Sequence, residues 1–344
     1  MALAHQRGIS LATAEQMSNS DIGTVLHGAV AAAVQAPSAH NTQPWRFKID
    51  GSSIELYADD SRHLLVIDAE RRQQLQSCGC ALFNARVAIR AAGFTDEVTL
   101  WVADRSHPDH LATLHVGAPR EASEADRALL AAIPRRHTNR REFLPRPVAR
   151  EISERLCAAA SREGARATRL DPDAKRALGE LIDRADRLQF EDPAFRAELS
   201  RWLTTFGSRR RDGIPFVEKE YGSSLPFSVM RALRSPGLGS EVASIEHEHV
   251  LGAPVVLALG TPTDDPTDWF TCGQALQAVL LAATTYELSA SFLNQVLEIP
   301  ELRTRVTELI PTIGKPQMIL RIGVPAEPVR HAAPRRDLDD VLER

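Results

Sequence analysis

Residues 77–94 read SCGCALFNARVAIRAAGF, and residues 271–288 read TCGQALQAVLLAATTYEL. The strings share a small residue, Cys, Gly, any residue, Ala and Leu, followed by a long Ala-rich stretch, so the chain carries a weak internal repeat. In the first copy Leu82, Ala85 and Ile89, flanked by Ala81, Ala88 and Ala92, fall on neighbouring helical positions. The second copy is apolar almost all round, through Ala275, Leu276, Val279, Leu280, Leu281 and Ala282, which predicts a helix buried in the core.

Strand signals surround both copies. Trp45, Phe47 and Ile49 alternate with polar residues, Asp50-Gly51 offers a hairpin turn, and Ile54 with Leu56 begin the return strand. Val98, Leu100 and Val102 mark another strand, VVLALG at 255–260 a further one, and Met318, Leu320, Ile322 and Val324 alternate with Ile319, Arg321 and Gly323 in a last. Helices and strands mixed in both halves predict an α+β sandwich. Ser123-Glu124-Ala125-Asp126 reads as a capping signal for a helix running toward Ile133, which ends the first half near residue 120. From 204 to 240 the periodicity dissolves, as it does both in lids and in disordered surface excursions.

A chain of 344 residues has the length of two ordinary domains or of a domain fused to a relative, and its 43% hydrophobic content suffices for a real core. A net charge of -4 argues against a nucleic-acid or membrane-surface binder. Cys78, Cys80, Cys157 and Cys272 are too irregularly spaced for a disulfide framework or a zinc site and read as buried thiols in a reducing compartment. No segment reads as a signal peptide or a membrane span, so the expectation is a cytoplasmic protein. His247 and His249 would share one face of a strand but lack further ligands at metal spacing; no metal is expected.

Two short strings carry chemistry. In APSAHNTQPWRF (36–47), Pro37 and Pro44 hold the backbone extended while Ser38, Asn41 and Gln43 set polar groups beside Trp45, a rigid loop suited to the edge and face of a planar heteroaromatic ring. In RRHTNRREF (135–143), Arg135, Arg136, Arg140 and Arg141, with Arg146 just beyond and Thr138 among them, offer guanidinium forks and a hydroxyl to a phosphate monoester. Taken alone, such a basic run is usually just a solvated face.

APSxHNxQPWxF together with Arg136-His137-Thr138-Asn139-Arg140 resembles the FMN-dependent nitroreductase family, and PRRDLDDVL at 334–342 is similar to that family's closing Arg-Arg-Pro-Leu-x-x-Val segment. In ordinary members the phosphate turn opens the subunit and the Pro-Ser turn follows; here the order is reversed and each occurs once. That order and the length resemble the Acg-like branch, stress- and dormancy-associated proteins in which two nitroreductase-like halves share one chain. The resemblance implies a nitroreductase-like α+β sandwich, internally duplicated as a pseudo-dimer. It divides into a first half at 20–120 with the ring-side motif and a second at 121–344 with the phosphate-side motif, a lid-like insertion at 204–240 and an arm at 325–344.

Carried over residue by residue, the resemblance implies that Arg136, His137, Thr138, Asn139 and Arg140, helped by Arg335 or Arg336, surround the FMN phosphate. Pro37, Ser38, His40, Asn41, Gln43, Pro44, Trp45 and Arg46 would line the ring, and Asn294 and Gln295 would approach flavin N5. No Arg-His-Thr-like turn precedes residue 28, and the second half has CAAASREGARATRL (157–170) where a Pro-Ser turn would be expected, so one FMN per chain is implied.

The implied function is an oxidoreductase that reduces a nitroaromatic or quinone-like acceptor with NAD(P)H, acting as a monomeric pseudo-dimer or weak homodimer. The alternative is a flavin storage or sequestration protein whose 204–240 insertion blocks the ring. A third reading, an interaction scaffold without flavin, predicts a colourless protein. In the insertion, Arg209–Arg211 reads as an anion lure or a solubilising tip, and Tyr221 and Phe227 as covers for the ring or as loop packing.

Overall fold

The two repeat copies become helices that pack against each other in the middle of the molecule. The computed structural model describes residues 19–104, 106–204, 208–215, 229, 232–233, 239–327 and 333–343. Parts of the insertion, Tyr221 and Phe227 among them, lie outside the described residues. In chain order the elements are α1 (Asn19–Ala33), β1 (Trp45–Asp50), β2 (Ser53–Ala58), α2 (Arg72–Ala91), β3 (Phe94–Leu100), β4 (His110–Pro119), α3 (Glu124–Ala132) and α4 (Arg150–Arg162). They continue with β5 (Arg166–Arg169), α5 (Pro172–Glu191), α6 (Pro193–Trp202), β6 (Leu203–Thr204), β7 (Ile214–Pro215), α7 (Gly239–Gly252) and β8 (Val255–Thr261). The last are α8 (Pro266–Thr285), β9 (Ser289–Phe292), α9 (Pro300–Leu309), β10 (Lys315–Gly323), α10 (Leu338–Val341) and β11 (Leu342–Glu343).

Local chemistry sets the helix starts. Asp171, Asp192 and Asp265 each precede a proline, and their carboxylates accept hydrogen bonds from first-turn N–H groups while the proline has no N–H to leave unpaired. Ser123 and Asp126 form a reciprocal capping box on α3. Buried Asp68 accepts from the backbone N–H groups of Gln73 and Gln74 at 2.8 Å each and so starts α2.

One sheet has the order β11-β1-β2-β4-β3 and packs one face on α1 and α2; the other has the order β5-β8-β10-β9. Within the second sheet Val255, Leu257, Leu259, Met318, Leu320 and Ile322 join the core built around α2 and α8. Val256, Ala258 and Ile319, on the opposite face, join a separate core with α5, α7 and α9. β8 and β10 are therefore buried on both faces, which explains the nearly unbroken apolar run of β8 and the apolar residues on both sides of Arg321 in β10.

The crossing of α2 and α8 is reciprocal. A Cβ on Gly79 would lie 2.2 Å from the Phe270 carbonyl oxygen, and one on Gly273 would lie 2.1 Å from the Gln76 carbonyl oxygen. Gln76 and Phe270 occupy the same place in the two repeat copies, three residues before the glycine. A contact in which i touches j and the equivalent of j touches the equivalent of i has the form of a two-fold interface. Gln277 Nε2 donates to Asn84 Oδ1 at 2.7 Å within the same packed layer, and Asn84 Nδ2 donates to the Ala32 carbonyl at 2.9 Å.

Three expectations change in detail. The third strand ends at Leu100 and does not reach Val102. The first repeat helix is buried nearly all round rather than along one stripe, because Gln73, Gln74, Gln76 and Asn84 find hydrogen-bond partners inside. His247 and His249 lie on helix α7 and not on a strand: Val242, Ala243 and Val250 recur at helical spacing and are buried where α7 packs on α5.

Candidate functional site

The Pro-Ser turn is held in a costly backbone conformation. His40, Asn41 and Gln43 have φ of 49°, 54° and 52°, three of the five non-glycine residues with positive φ among the described residues. Such conformations cost about 1–3 kcal/mol each and persist only where the surroundings enforce them. Ser38 enforces part of this one, its hydroxyl accepting from Gln43 N at 2.9 Å and its carbonyl from Asn41 N at 3.0 Å.

The arm at 333–343 enforces the rest. Arg335 Nη1 donates to Asn41 Oδ1 at 3.1 Å and Nη2 to the Gln35 carbonyl at 3.3 Å; Arg336 N donates to Gln43 Oε1 at 2.8 Å. β11 then pairs in parallel with β1 through Phe47 and Leu342. A cleft of about 470 Å³ opens beside the arm, lined by Val34, Gln35, Arg211, Pro334, Arg335 and Leu338 among others.

The turn after α3 brings Arg136 beside Arg335. Arg136 is 6% exposed, and its Nε and that of Arg335 are sealed from solvent without a hydrogen-bond partner among the described residues; the same holds for His40 Nε2. Burial, then Arg140, lowers the Arg136 pKa to about 10 despite an opposing effect of Cys80. Burial and then Arg136 lower that of Arg335 to about 9, and burial and then Arg140 lower that of His40 to about 4. His137 is lowered by burial, Arg136 and Arg335. Among the described residues, no carboxylate is among the groups that set these four shifts. Two guanidiniums that repel each other, each with a sealed and unpartnered Nε, beside histidines whose charged forms are disfavoured, suit an anion, and the donor set fits a phosphate monoester.

Sequence-selected residues divide on this geometry. Arg136, His137, Arg140, His40 and Arg335 come within electrostatic reach of one another. Thr138 and Asn139 sit in the same turn, which is fastened to β9 by Asn139 N donating to the Ala290 carbonyl at 2.9 Å. Pro37 and Pro44 are buried.

Several residues are committed elsewhere. Trp45 is fully buried in the core, and Arg46, on the opposite face of β1, pairs with Glu343 and stacks over Tyr57; alternation along a strand sends neighbours to opposite faces. Arg336 braces the Gln43 and Trp45 carbonyls and Asp59. Asn294 Oδ1 accepts from Ile319 N at 3.2 Å, and Gln295 Nε2 reaches Asp186 at 3.4 Å, so both amides face interior partners rather than the cation cluster.

Two features went unread. Arg321, in the middle of the apolar run of β10, is 1% exposed and lies beneath the 139–141 turn; the signal was an arginine where both flanks demand burial. The other is where the insertion docks. Asn41 Nδ2 donates to the Gly213 carbonyl at 3.0 Å and Gln43 Nε2 to the Arg211 carbonyl at 2.7 Å, while Arg62 pairs with Asp212 at 2.8 Å. Two of the three arginines of the insertion have partners: Arg210 pairs with Asp212 and lies over Trp202, and Arg211 pairs with Asp337, while Arg209 is exposed.

Among the described residues, no group of three or more His, Cys, Asp or Glu side chains is placed to hold a metal ion, and no helix is long and apolar enough to cross a membrane.

No family model matches the chain. Among curated proteins it is 34% identical over 315 residues to "Putative NAD(P)H nitroreductase Rv3131" of Mycobacterium tuberculosis H37Rv, covering 90% of this chain and 89% of the relative. The chain belongs to the NAD(P)H nitroreductase family. A second nitroreductase-family relative, "Putative NAD(P)H nitroreductase acg" of the same strain, is 29% identical over 329 residues, covering 92% of this chain and 95% of its own. Among solved structures, the FMN-dependent nitroreductase NfnB of Mycobacterium smegmatis, in complex with NADPH, matches with a TM-score of 0.43 and 17% identity over 64% of this chain and 99% of that one. The nitroreductase family places this α+β chain among oxidoreductases.

Proposed function

We propose that this nitroreductase-family chain binds one FMN between its two halves and uses NAD(P)H to reduce a nitroaromatic or quinone-like small molecule. The observation that carries the reading is the pair Arg136 and Arg335, each with a sealed Nε that has no partner among the described residues, beside His40 and His137, whose charged forms are disfavoured; the group draws on the turn at 135–143, the Pro-Ser turn and the arm. Arg136 and Arg335 would hold the phosphate with the Thr138 hydroxyl, and Asn41 and Gln43 would lie on the ring side, their amides bonded to the arm and to the 211–213 backbone. The flavin, when bound, supplies the hydride chemistry, and the chain supplies binding, orientation and electrostatics.

The two halves, 20–120 and 121–344, are supported by the reciprocal Gly79 and Gly273 contacts and by β11, which carries the second half's chain into the first half's sheet. Single occurrence of each motif supports one flavin per chain. The experiment is Arg136→Ala: it should weaken FMN more than riboflavin, by about 1.5–3 kcal/mol, the range of charge-assisted hydrogen bonds. Equal loss for both flavins removes Arg136 from the phosphate site, and a colourless protein that binds neither flavin removes the reading altogether.

One observation favours a second reading, flavin storage with little turnover. The ring-side amides of Asn41 and Gln43 are already bonded to the backbone of the 208–215 segment, an arrangement that would restrict access of a nicotinamide to the ring.

A further inference from the structure

Arg321 is a buried cation within the apolar Met318–Ile322 stretch of β10. Desolvating a guanidinium costs several kcal/mol unless its donors are used, so its partners indicate what it does. Nη1 donates to the Arg141 carbonyl at 2.8 Å and Nη2 to the Asn139 carbonyl at 3.3 Å. Those two carbonyls flank Arg140. The guanidinium lies 4.9 Å from the centre of the Phe143 ring, and Phe143 in turn packs on Gly323, where a Cβ would come within 2.8 Å of it. Glu246 of α7 lies within electrostatic reach of both Arg321 and Arg140 and partly balances them.

The turn has its own supports. Asn139 Oδ1 accepts from Arg141 N at 3.2 Å, Asn139 Nδ2 donates to the Arg141 carbonyl at 3.3 Å, and Leu144 N donates to the Val324 carbonyl at 2.9 Å. None of these reaches the Asn139 carbonyl, so none holds the carbonyls on both sides of Arg140 together. A planar fork does, and a single ammonium cannot span both acceptors with the same geometry.

We propose that Arg321 is a positioning residue for anion binding: from beneath the 139–141 turn it clamps the carbonyls on either side of Arg140 and fixes the turn before the anion arrives. Arg321 itself does not touch the anion. The inference rests on the reading of this turn as a phosphate site.

The test uses the full chain stripped of flavin, with FMN and riboflavin affinities measured by flavin fluorescence quenching. Arg321→Met should weaken FMN about tenfold, close to the low end of what one charge-assisted hydrogen bond is worth, and riboflavin by less than about twofold. Equal weakening of both flavins, or FMN affinity unchanged, overturns the inference, because a purely structural role does not distinguish a phosphorylated from an unphosphorylated flavin. If Arg321→Met does not fold, Arg321→Lys decides. FMN weakened at least threefold with riboflavin unchanged supports the fork, and no change in the FMN-to-riboflavin ratio refutes it. The wild-type chain separates the two layers: without an FMN preference there the phosphate reading fails and takes the inference with it, whereas a preference retained in both variants removes Arg321 alone.

Discussion

Replacing His40 by Asn tests the electrostatics of the site without a ligand. Asn tolerates the left-handed backbone at this position, so the replacement removes the imidazole while leaving the turn's conformation accessible. Burial, then Arg140, lowers the His40 pKa from 6.5 to about 4. A base whose folded pKa lies below its unfolded value penalises the folded state wherever the unfolded chain takes up a proton that the folded chain refuses. The penalty is nearly absent above 6.5, grows as pH falls and levels off below about 4. By linkage it is about 0.2 kcal/mol at pH 7 and at most about 2.5 kcal/mol at pH 4.5.

Urea unfolding of both proteins at the two pH values gives the result as a difference of differences. Asp68, raised to about 6 by burial, and Asp186, raised well above its ordinary value, shift the background in the opposite direction but are common to both proteins and cancel. The stability of His40→Asn relative to wild type should rise by about 2 kcal/mol on acidification. Added pyrophosphate should shrink that rise, because a bound anion lets the histidine accept its proton. A change below about 0.5 kcal/mol would mean that the ring is neither desolvated by burial nor close enough to Arg140 to resist protonation.

Gly273→Ala forces a methyl group into the Gln76 backbone at the helix crossing and should destabilise the chain by at least about 2 kcal/mol in urea, whereas Gly28→Ala, with open space around its Cβ, should be neutral or stabilising. Similar effects at both sites would refute the tight crossing. Asp212→Ala removes the carboxylate that Arg62 and Arg210 hold and should loosen the 208–215 segment from the Pro-Ser turn. NADPH oxidation by the flavin-loaded chain should then rise several-fold, and a fall or no change argues against occlusion by that segment.

Much of the architecture was legible because it rests on periodicity and local chemistry. The hairpin at Asp50-Gly51, the capping box at Ser123 and the buried repeat helix at 271–288 each follow from a few neighbouring residues. The reading failed where a residue's role depends on a distant partner. Trp45 and Arg46 share the Pro-Ser string, yet strand alternation sends one into the core and the other toward Glu343. Arg335 and Arg336 are adjacent and chemically identical, and only the fold separates the arginine beside Arg136 from the one braced on Asp59. The i, i+2 spacing of His247 and His249 fits a strand face, yet the helical recurrence of Val242, Ala243 and Val250 governs the segment.

The parallel pairing of β11 with β1 has a consequence for synthesis. Arg335 and Asn41, which meet at the site, are 294 positions apart, so the ribosome must make nearly the whole chain before the first sheet receives its last strand. Until then β1 presents an unpaired edge, and the left-handed turn beside it lacks the arginines that hold it. Closure across so long a separation is slow. A nascent chain stalled before residue 333 would therefore leave the β1 edge open to pairing with another chain.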